Sequence, residues 1–520
     1  MKLFTARRIL ALDGTEPEAF AVEDGVVVAT GTRAALTRRQ PGAEQVDLDG
    51  ALVVPGFNDA HCHVSQAALA RVRVDLTGAA GAAEVAAALR ARAARTPPGA
   101  WVVGQPLDDR LIPGVDRDFL DAVSPDHPVV LIHYSFHRAV VNSRALELLG
   151  YRTAADAPDG GQLMTDAAGR LDGRLLERAW LDPWLPGPRR DTIAPAGELA
   201  AQVAALAEVN DELHRAGITS YCDAIVTPVE QRMYTEARDR GALTPRVSML
   251  LWHTYFDPAT WPGQEADQRL QLSGVKMMYD GALSGGTCLC RHPYPSSTGT
   301  DNGLQILTDE EFAGRVRAVA SAGARVAVHA NGDLAISKLL DVFASLPATG
   351  AGHRIEHCSI VDDEIIARLV ALGVTPVPFS AFAHLYGEAL TGFYGEERAG
   401  RICAHRSLLD AGLEVAGSSD YPIVPIDPLL GVQSMVTRRS AAGLDFGPAQ
   451  RLGVIEALGV YTHGSAHATG DGHRRGRLSP GQVADFVVLD ADLTAVEPDE
   501  IAATRVRSTW VGGERVWSSG

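Results

Sequence analysis

Short apolar segments alternate with longer amphipathic segments through the middle of the chain. The apolar segments are rich in β-branched residues, as expected of strands that are buried on both faces. The segments between them, such as DEEFAGRVRAVASAGA and DDEIIARLVALG, have the period of helices. Repeated strand-then-helix units predict an α/β fold, a (β/α)₈ TIM barrel. The predicted barrel strands are 51–60, 217–224, 246–252, 274–279, 324–330, 353–358, 373–378 and 413–419.

The two ends of the chain show a different pattern, with several short strands and tight turns. RRILAL and AFAVEDGVVVATG near the start have the composition of strands, and the second contains a turn at Asp24-Gly25. Near the other end, ADFVVLD precedes STWVGGERVWS, in which Gly512-Gly513 is typical of a hairpin turn. Two β-rich ends predict one small β-sandwich domain formed by residues 1–50 and 476–520.

One connection of the predicted barrel is much longer than the others. About 150 residues separate its first and second strands, whereas a strand and the next helix are usually joined by roughly 2–6 residues. This stretch contains strand-like and helix-like segments of its own, such as PVVLIHYSFHRAVVNSRALELLG. We therefore predict an insertion domain over the barrel mouth at residues 66–205, which leaves 51–65 and 206–475 for the barrel.

Charge and composition narrow the range of partners. The 520 residues carry a formal net charge of −17, whereas binding to nucleic acid or an anionic membrane needs clustered positive charge. No apolar run of about 18 residues and no secretory signal is evident in the sequence. The six cysteines are scattered, which favours reduced thiols. We expect a soluble, cytoplasmic protein that acts on a small molecule, binds neither nucleic acid nor membrane, and has a homodimer as one candidate assembly.

Polar residues at the ends of the predicted strands indicate chemistry. His61 and His63 close the first strand, and residues two apart in a strand point to the same side, so both imidazoles can converge on one ion. The ends of the fifth, sixth and eighth strands carry His329, His357 and Asp420. Because active sites of barrels lie at the carboxyl ends of their strands, this placement predicts a metal site there.

Lys276 lies inside the apolar fourth strand, GVKMMY. One interpretation is a lysine whose ammonium extends to the end of the strand. A bare ammonium is costly to bury inside a barrel, however. A reaction with CO₂ would convert the amine to an anionic carbamate that can bridge two metal ions, and we favour this second interpretation.

Seven segments together resemble the amidohydrolase superfamily, and within it the YtcJ-like branch (amidohydrolase family 3) that includes N-substituted formamide deformylase. The resemblance covers nearly the whole chain and implies a metal-dependent barrel with ligands at His61, His63, His329, His357 and Asp420. It also implies that Lys276 is the carbamylated lysine. The segments are VVPGFNDAHCH, HYSFHRAVVNSRAL, GVKMMYDGALSGGT, VAVHANGDLAI, HRIEHCSIV, GSSDYPI and GRLSPGQVADFVVLD.

Further polar residues are candidates for substrate binding. His137, in the insertion, belongs to a segment that resembles one reaching the site in this family. By alternation, Arg354 and Glu356 beside the inward-facing His357 would face the helices and be structural. Three residues just past strand ends are expected either to line the pocket or to cap turns: Asp280, Asn331 and Asp333.

These features predict an enzyme, a metal-dependent amidohydrolase that acts on a carbon–nitrogen bond other than a peptide bond. We expect Zn²⁺ as two ions bridged by carbamylated Lys276, with another divalent metal as the alternative. The metal would activate a water that attacks an amide or formamide of a small molecule, with Asp420 as general base and His329 as a second catalytic residue. The alternatives are a mononuclear deaminase of a heterocycle and a non-catalytic barrel. Lys276 argues against the first, and the complete ligand set argues against the second.

Overall fold

The computed structural model describes residues 1–109, 111–262, 269–295, 301–347 and 352–520. In chain order its strands are β1 Lys2–Thr5, β2 Ala19–Glu23, β3 Val26–Gly31, β4 Glu44–Asp47, β5 Leu52–Pro55, β6 Phe57–Cys62, β7 Val74–Asp75, β8 Val102–Leu107, β9 Val129–His133, β10 Arg138–Val141, β11 Gly161–Thr165, β12 Leu171–Glu177, β13 Ile218–Val226, β14 Arg246–Trp252, β15 Leu270–Met278, β16 Val326–Ala330, β17 Arg354–His357, β18 Thr375–Val377, β19 Phe486–Leu489, β20 Val506–Val511 and β21 Glu514–Ser518.

Its α-helices are α1 Arg33–Arg39, α2 Val64–Val72, α3 Ala82–Ala93, α4 Arg117–Val123, α5 Ser143–Leu149, α6 Arg178–Trp184, α7 Leu199–Arg215, α8 Pro228–Asp239, α9 Asp309–Ser321, α10 Asp333–Ala344, α11 Asp363–Leu372, α12 Phe382–Ala399, α13 His405–Asp410, α14 Pro428–Thr437, α15 Val454–Gly459 and α16 Ser465–Ala468. Short 3₁₀ turns lie at Ala154–Asp156, His253–Tyr255, Pro448–Gln450 and Pro498–Ala503, and a π-helical turn lies at Val460–Gly464. Within the described ranges no helix has the length and apolar character needed to cross a membrane.

The central element is a parallel sheet whose described strands run in the order β18-β17-β16-β15-β14-β13-β6. The segment 413–419 lies between the two edges and forms hydrogen bonds with both. On one side the amide of Ser380 donates to the carbonyl of Ser418 (3.1 Å), and on the other the amide of Ala60 donates to the carbonyl of Gly417 (2.9 Å). The sheet thereby closes, and the chain contains the α/β barrel that the alternating pattern predicts.

The first predicted barrel strand is divided in the structure. Residues 51–60 do not form one strand, because Gly56 separates β5 from β6. β5 pairs antiparallel with β19, outside the barrel sheet, whereas β6 is the barrel strand beside β13. A Cβ atom on Gly56 would lie 2.2 Å from Oγ1 of Thr219, so only glycine allows the chain to pass this close to its neighbour.

The two ends of the chain form two four-stranded sheets, with the orders β3-β2-β1-β4 and β21-β20-β19-β5. Their facing sides share an aromatic cluster, in which the Phe4 ring lies 5.1 Å from those of Phe20 and Phe486. Both predicted turns are confirmed, since β2–β3 and β20–β21 are hairpins. The strand predicted at RRILAL is wrong. That segment forms a single bridge, Ile9 to Val53, because it crosses from one sheet to the other.

The stretch between the first two barrel strands contains its own sheet, in the order β11-β12-β10-β9-β8-β7. α2 leads out of the barrel and packs on α7, which leads back. The turn between β9 and β10 reaches the metal-site residues, because the Phe136 ring lies 5.4 Å from the His63 ring. Trp180 fixes this turn by donating a hydrogen bond from Nε1 to the Phe136 carbonyl (2.9 Å). The boundaries of an insertion domain at 66–205 stay a prediction.

Candidate metal centre

Three of the predicted ligands converge at the carboxyl end of the barrel. Oδ1 of Asp420 lies 3.3 Å from Nε2 of His61 and 3.1 Å from Nε2 of His63, and all three side chains are buried. One ligand atom from each lies within 4.8 Å of the others. His61 Nε2 and Asp420 Oδ1 have no hydrogen-bond partner among the described residues, although buried polar atoms are almost always paired. A cation between them would satisfy both atoms, so this donor set fits a divalent metal.

The three ligands are held by the segments that close the barrel. His61 lies near the end of β6 and His63 directly follows that strand, and the amide of Asp420 donates to the carbonyl of His61 (2.9 Å). Asp59 joins the two sides, because its carboxylate accepts hydrogen bonds from the amides of His61 (3.2 Å) and Ser419 (3.1 Å). Asp420 has a φ of 64°, a left-handed conformation that few residues other than glycine adopt. Its side chain is therefore directed by a specific backbone turn.

The charges of this cluster favour an ionised Asp420 carboxylate beside a neutral His63 imidazole. Burial alone would raise the pKa of Asp420, but contacts with His61 and His63 hold it well below its usual range. Burial lowers the pKa of His63, against the opposing effect of Asp420. Metals bind the ionised form of aspartate and the neutral form of histidine, so both shifts prepare the residues for a metal.

The remaining predicted ligands surround these three. The ring of His357 lies 4.6 Å from the rings of both His61 and His329. Burial lowers the pKa values of His357 and His329 well below the usual value, so both imidazoles are neutral. Lys276 is 2% exposed, and burial lowers the pKa of its ammonium to about 8, although Glu356 and Asp420 oppose that shift. The structure therefore brings five of the six predicted metal-site residues together at one end of the barrel and buries the sixth, Lys276, in β15.

Arg354 and Glu356 face the barrel interior, which corrects the orientation expected from alternation. Both are fully buried, and Nδ1 of His61 forms a short hydrogen bond with a carboxylate oxygen of Glu356. Arg354 donates to both carboxylate oxygens of Glu356 (2.6 and 2.8 Å) and to the carbonyl of Ala60 (2.6 Å). Alternation fails because His357 has a φ of 70°, which turns its side chain inward directly after that of Glu356. The carboxylate thus fixes the His61 tautomer that presents Nε2 to the metal position.

Three predicted substrate-binding residues have contacts that organise loops. The Asp280 carboxylate accepts hydrogen bonds from the amides of Leu289, Asn331 and Gly332. Asn331 donates to the Gly281 carbonyl (3.2 Å) and lies 3.1 Å from Nε2 of His329. Asp333 accepts a hydrogen bond from the amide of Arg291 (2.9 Å). These contacts match the turn or cap alternative, and a role of the three residues in substrate binding stays a prediction.

His137 reaches the centre from the turn between β9 and β10. Its ring lies 5.0 Å from that of His329, and its Nδ1 is 2.9 Å from a carboxylate oxygen of Glu177. Burial acts to lower the pKa of His137, but the charge and hydrogen bond of Glu177 raise it overall. Glu177 was not predicted from the sequence. A signal was present, since Glu177 falls on the buried phase of β12, where alternate residues are buried and an acidic residue is unusual.

Two cavities that share lining residues lie beside the cluster. A cavity of about 420 Å³ lies between the insertion and the barrel, and its lining includes Leu176, Tyr386 and Phe393. A second, narrow space of about 20 Å³ lies beside His329 and Asp420. The residues that line both are Ser135, His137, Ala282 and Ser284. The larger cavity is within the range of small-molecule sites.

The closed barrel, the convergent ligands at the carboxyl ends of its strands and the adjoining cavity together define a metal-dependent hydrolase. Residues 44–517 match the model of the amidohydrolase family, and the chain belongs to that family. The resemblance inferred from the sequence motifs is therefore confirmed.

Relatives cover nearly the whole chain. YtcJ of Bacillus subtilis (strain 168) is 30% identical, with 97% of both chains covered. N-substituted formamide deformylase of Arthrobacter pascens is 28% identical, with 95% of this chain and 94% of the relative covered. Among solved structures, an uncharacterized metal-dependent hydrolase from Pyrococcus horikoshii OT3 has a TM-score of 0.75 and 26% identity, with 96% of this chain and 99% of that chain covered.

Proposed function

We propose that this protein hydrolyses an amide or formamide carbon–nitrogen bond, other than a peptide bond, in a small molecule. The observation that carries the proposal is the convergence of His61, His63 and Asp420, whose buried ligand atoms include some with no hydrogen-bond partner among the described residues. A cavity of small-molecule size shares lining residues with the narrow space beside Asp420. N-substituted formamide deformylase is, by its name, a relative that acts on such a bond. The family and the site support a hydrolase, and the proposal adds which type of bond the enzyme cleaves.

The metal of this proposal is Zn²⁺, which would be bound as two ions, and carbamylated Lys276 would be a ligand shared by both. His61, His63, His329, His357 and Asp420 would provide the other ligands. When bound, the metal polarises the carbonyl group and lowers the pKa of a water that it coordinates. Burial lowers the pKa of Lys276 to about 8 and so increases the fraction of the side chain that is a neutral amine. The neutral amine is the form that reacts with CO₂.

Proton transfer is the task of Asp420. Its carboxylate is ionised and directed at the cluster, so it can accept the proton of the attacking water and deliver it to the leaving amine. Glu356 contacts Nδ1 of His61, which leaves Nε2 of His61 available as a ligand. His329 remains the second catalytic candidate, because it lines the narrow space together with Asp420.

The proposal is tested by metal analysis and a substrate screen on the same purified protein. We expect two equivalents of zinc and release of amine from N-formyl or N-acyl amines. One equivalent of metal with ammonia release from a heterocycle would replace the proposal by a deaminase. A folded protein that binds no metal and cleaves no compound would contradict it.

Lys276 has a separate test. Intact mass and crystal density of protein prepared with bicarbonate and zinc are expected to show CO₂ on this lysine. Lys276→Ala should reduce the zinc content, because the bridging anion is lost. An unmodified lysine with a single metal would contradict the carbamate and leave a mononuclear site.

We also propose how the chain is divided into domains, where the protein acts and how it assembles. The terminal sheets would form the two layers of a β-sandwich domain, and residues 66–205 would be an insertion domain over the barrel mouth. The protein would act in the cytoplasm on a small molecule, as a homodimer. Size-exclusion chromatography with light scattering would test the assembly.

A further inference from the structure

We propose that a cleft between the last β-hairpin and the barrel helices is a second ligand site, separate from the metal centre, that binds a small aromatic anion. The cleft has a volume of about 620 Å³, larger than the cavity of about 420 Å³ beside His137. Among the described residues, its lining shares none with that cavity or with the narrow space beside Asp420. The proposed hydrolysis does not use this cleft, so either proposal can be correct without the other.

Regular strand pairing directs three side chains of the last hairpin to one face. Thr509 lies opposite Trp517 in the pairing of β20 with β21, and Arg507 is two residues before Thr509 on the same strand. Residues two apart in a strand share a face, as do residues directly opposite in a strand pair. Thr509 donates a hydrogen bond to the carbonyl of His214 near the end of α7 (2.6 Å). Arg507 and Trp517 are therefore held on the face that is directed at the barrel helices.

The charges of the cleft favour an anionic ligand. Arg215, in the last turn of α7, and Arg507 both line the cleft, and the side chain of neither forms an ion pair or hydrogen bond with any described residue. The side-chain carboxylates of the lining are engaged, since Glu212 binds Arg71 (2.6 Å) and Asp427 caps α14. A free guanidinium group binds a carboxylate or phosphate through paired hydrogen bonds. Two such groups therefore make the cleft suited to an anion.

The remaining walls of the cleft are apolar, and one is aromatic. Trp517 and Ile426 are partly buried and pack against the core, and Leu429 and Val506 add aliphatic surface. Trp517 lines the cleft, so an aromatic ligand can contact its indole ring. Aromatic rings stack favourably on one another and on the plane of a guanidinium group. A planar aromatic ring that carries one carboxylate or phosphate group therefore matches both the charge and the walls of the cleft.

The cleft adjoins the segment that carries Asp420. Ile426 lines the cleft, and Ile423 lines the narrow space beside Asp420. The amide of Ile423 donates a hydrogen bond to the carbonyl of Asp420 (2.9 Å). The segment 420–427 thus runs from the metal centre to the cleft, and a ligand in the cleft contacts its far end. Bound ligand should therefore slow hydrogen exchange in this segment, which gives a way to locate the site.

Calorimetry on the full-length protein tests the site with 2-naphthoate and 2-naphthyl phosphate, and 2-naphthalenemethanol is the neutral analogue. We expect saturable binding of at least one anion, and binding of the neutral compound at least about 10-fold weaker. Comparison of the two anions shows which anionic group the site prefers. Arg215→Gln and Arg507→Gln should each raise the dissociation constant by about 10-fold, because one charge-assisted hydrogen bond is lost. Trp517→Leu should weaken both anions, because the aromatic wall is lost.

Two control variants and hydrogen exchange locate the bound ligand. Arg38→Gln changes an exposed arginine of α1 that does not line the cleft, and it should bind like the wild type. Phe393→Ala changes the cavity beside His137 and should also bind like the wild type. Circular dichroism checks that each variant is folded. Exchange should slow in 420–427 and in 505–519.

Three results would overturn the inference. The first is binding that Arg215→Gln and Arg507→Gln leave unchanged, above all if Phe393→Ala abolishes it, because the ligand then lies elsewhere. The second is equal binding of the neutral compound. The third is no saturable binding of either anion up to about 1 mM. None of these measurements depends on hydrolysis, so they leave the proposed function untouched.

Discussion

At the scale of single residues, backbone handedness directs the side chains of the metal centre. His357 and Asp420 lie at the ends of their segments with φ values of 70° and 64°. A left-handed residue turns the chain sharply, so its side chain leaves the regular alternation of a strand. Both residues reach the cluster through such a turn. The left-handed conformation is costly for most residues and is tolerated best by glycine, asparagine and aspartate.

The role of Asp420 leads to a clear prediction. Asp420→Asn should lower kcat by roughly 10²- to 10⁴-fold, because the general base is lost, with zinc content and KM little changed. Asparagine tolerates a φ of 64° as well as aspartate does, so backbone strain cannot account for the loss. Asp427→Asn is the matched control, since Asp427 caps α14 through a side-chain oxygen that asparagine retains. Steady-state kinetics near the wild-type level for Asp420→Asn would leave Asp420 with only a structural role.

Glu356 gives a second prediction at this scale. Glu356→Gln should weaken zinc affinity by about 10- to 100-fold, because the amide holds the His61 tautomer less firmly. Arg354 also loses its charged partner, so a lower Tm is expected and zinc affinity is measured well below that temperature. Competition with a chelator gives the dissociation constant. Glu230→Gln, a buried glutamate that caps α8 instead, is the control. Equal zinc affinity in wild type and Glu356→Gln would mean that Glu356 does not position His61.

These residues also show what the sequence could and could not predict. His61, His63, His329, His357 and Asp420 were predicted from their positions at strand ends, and the structure places these five together. Lys276 was predicted from its place inside an apolar strand, and the structure buries it there. The prediction placed Glu356 on the wrong side of its strand. The alternation of a strand gives no sign that the backbone of His357 has a left-handed conformation. Glu177 was missed because it lies 40 residues from His137 in the chain, and strand pairing within the insertion is not visible in a hydrophobic pattern.

At the scale of elements, the passage from β5 to β6 connects two sheets. The second to the sixth predicted barrel strands are found close to their expected bounds as β13 to β17, and β18 is the shorter core of the seventh. Apolar β-branched runs identify such strands well. The prediction of one strand at 51–60 was wrong because β5 and β6 are both apolar. The hydrophobic pattern cannot tell which sheet each of them joins. Only the close contact at Gly56 marks the boundary.

The close contact between Gly56 and Thr219 predicts how much an added methyl group at residue 56 destabilises the fold. Gly56→Ala should lower the free energy of unfolding by about 1–3 kcal/mol, because its Cβ would overlap with Thr219 in a packed interior. Gly42→Ala is the control, since a Cβ there meets no atom within 4 Å. Adding Thr219→Ser to Gly56→Ala removes one of the overlapping atoms and should restore part of the loss. Urea unfolding of the variants measures the differences. A Gly56→Ala protein as stable as Gly42→Ala would show that the two strands can separate freely at this point.

At the scale of the whole molecule, the ends of the chain, the inserted stretch and the barrel meet around its first strand. β5 ties β6 to the terminal sheets, and α2 leads from β6 into the inserted stretch. Arg246 of β14 adds a buried ion pair with Asp485 beside β19, with a shortest distance of 2.7 Å. The first strand also borders the segment 413–419, which closes the barrel with few regular strand hydrogen bonds. The metal ligands lie on both sides of this closure.

A bound metal should therefore stabilise the closure of the barrel. His61 and His63 come from one side and Asp420 from the other, so a shared ion links them only in the folded state. Ligand at 100 times its dissociation constant adds about 2.7 kcal/mol to the free energy of unfolding. Removal of zinc by a chelator should lower the Tm by several degrees, and hydrogen exchange should rise most in 57–63 and 413–423. Zinc should restore both in the wild type but not in His61→Ala, which loses a ligand and is also expected to lose hydrolysis. The same Tm shift in His61→Ala would place the stabilising metal elsewhere in the protein.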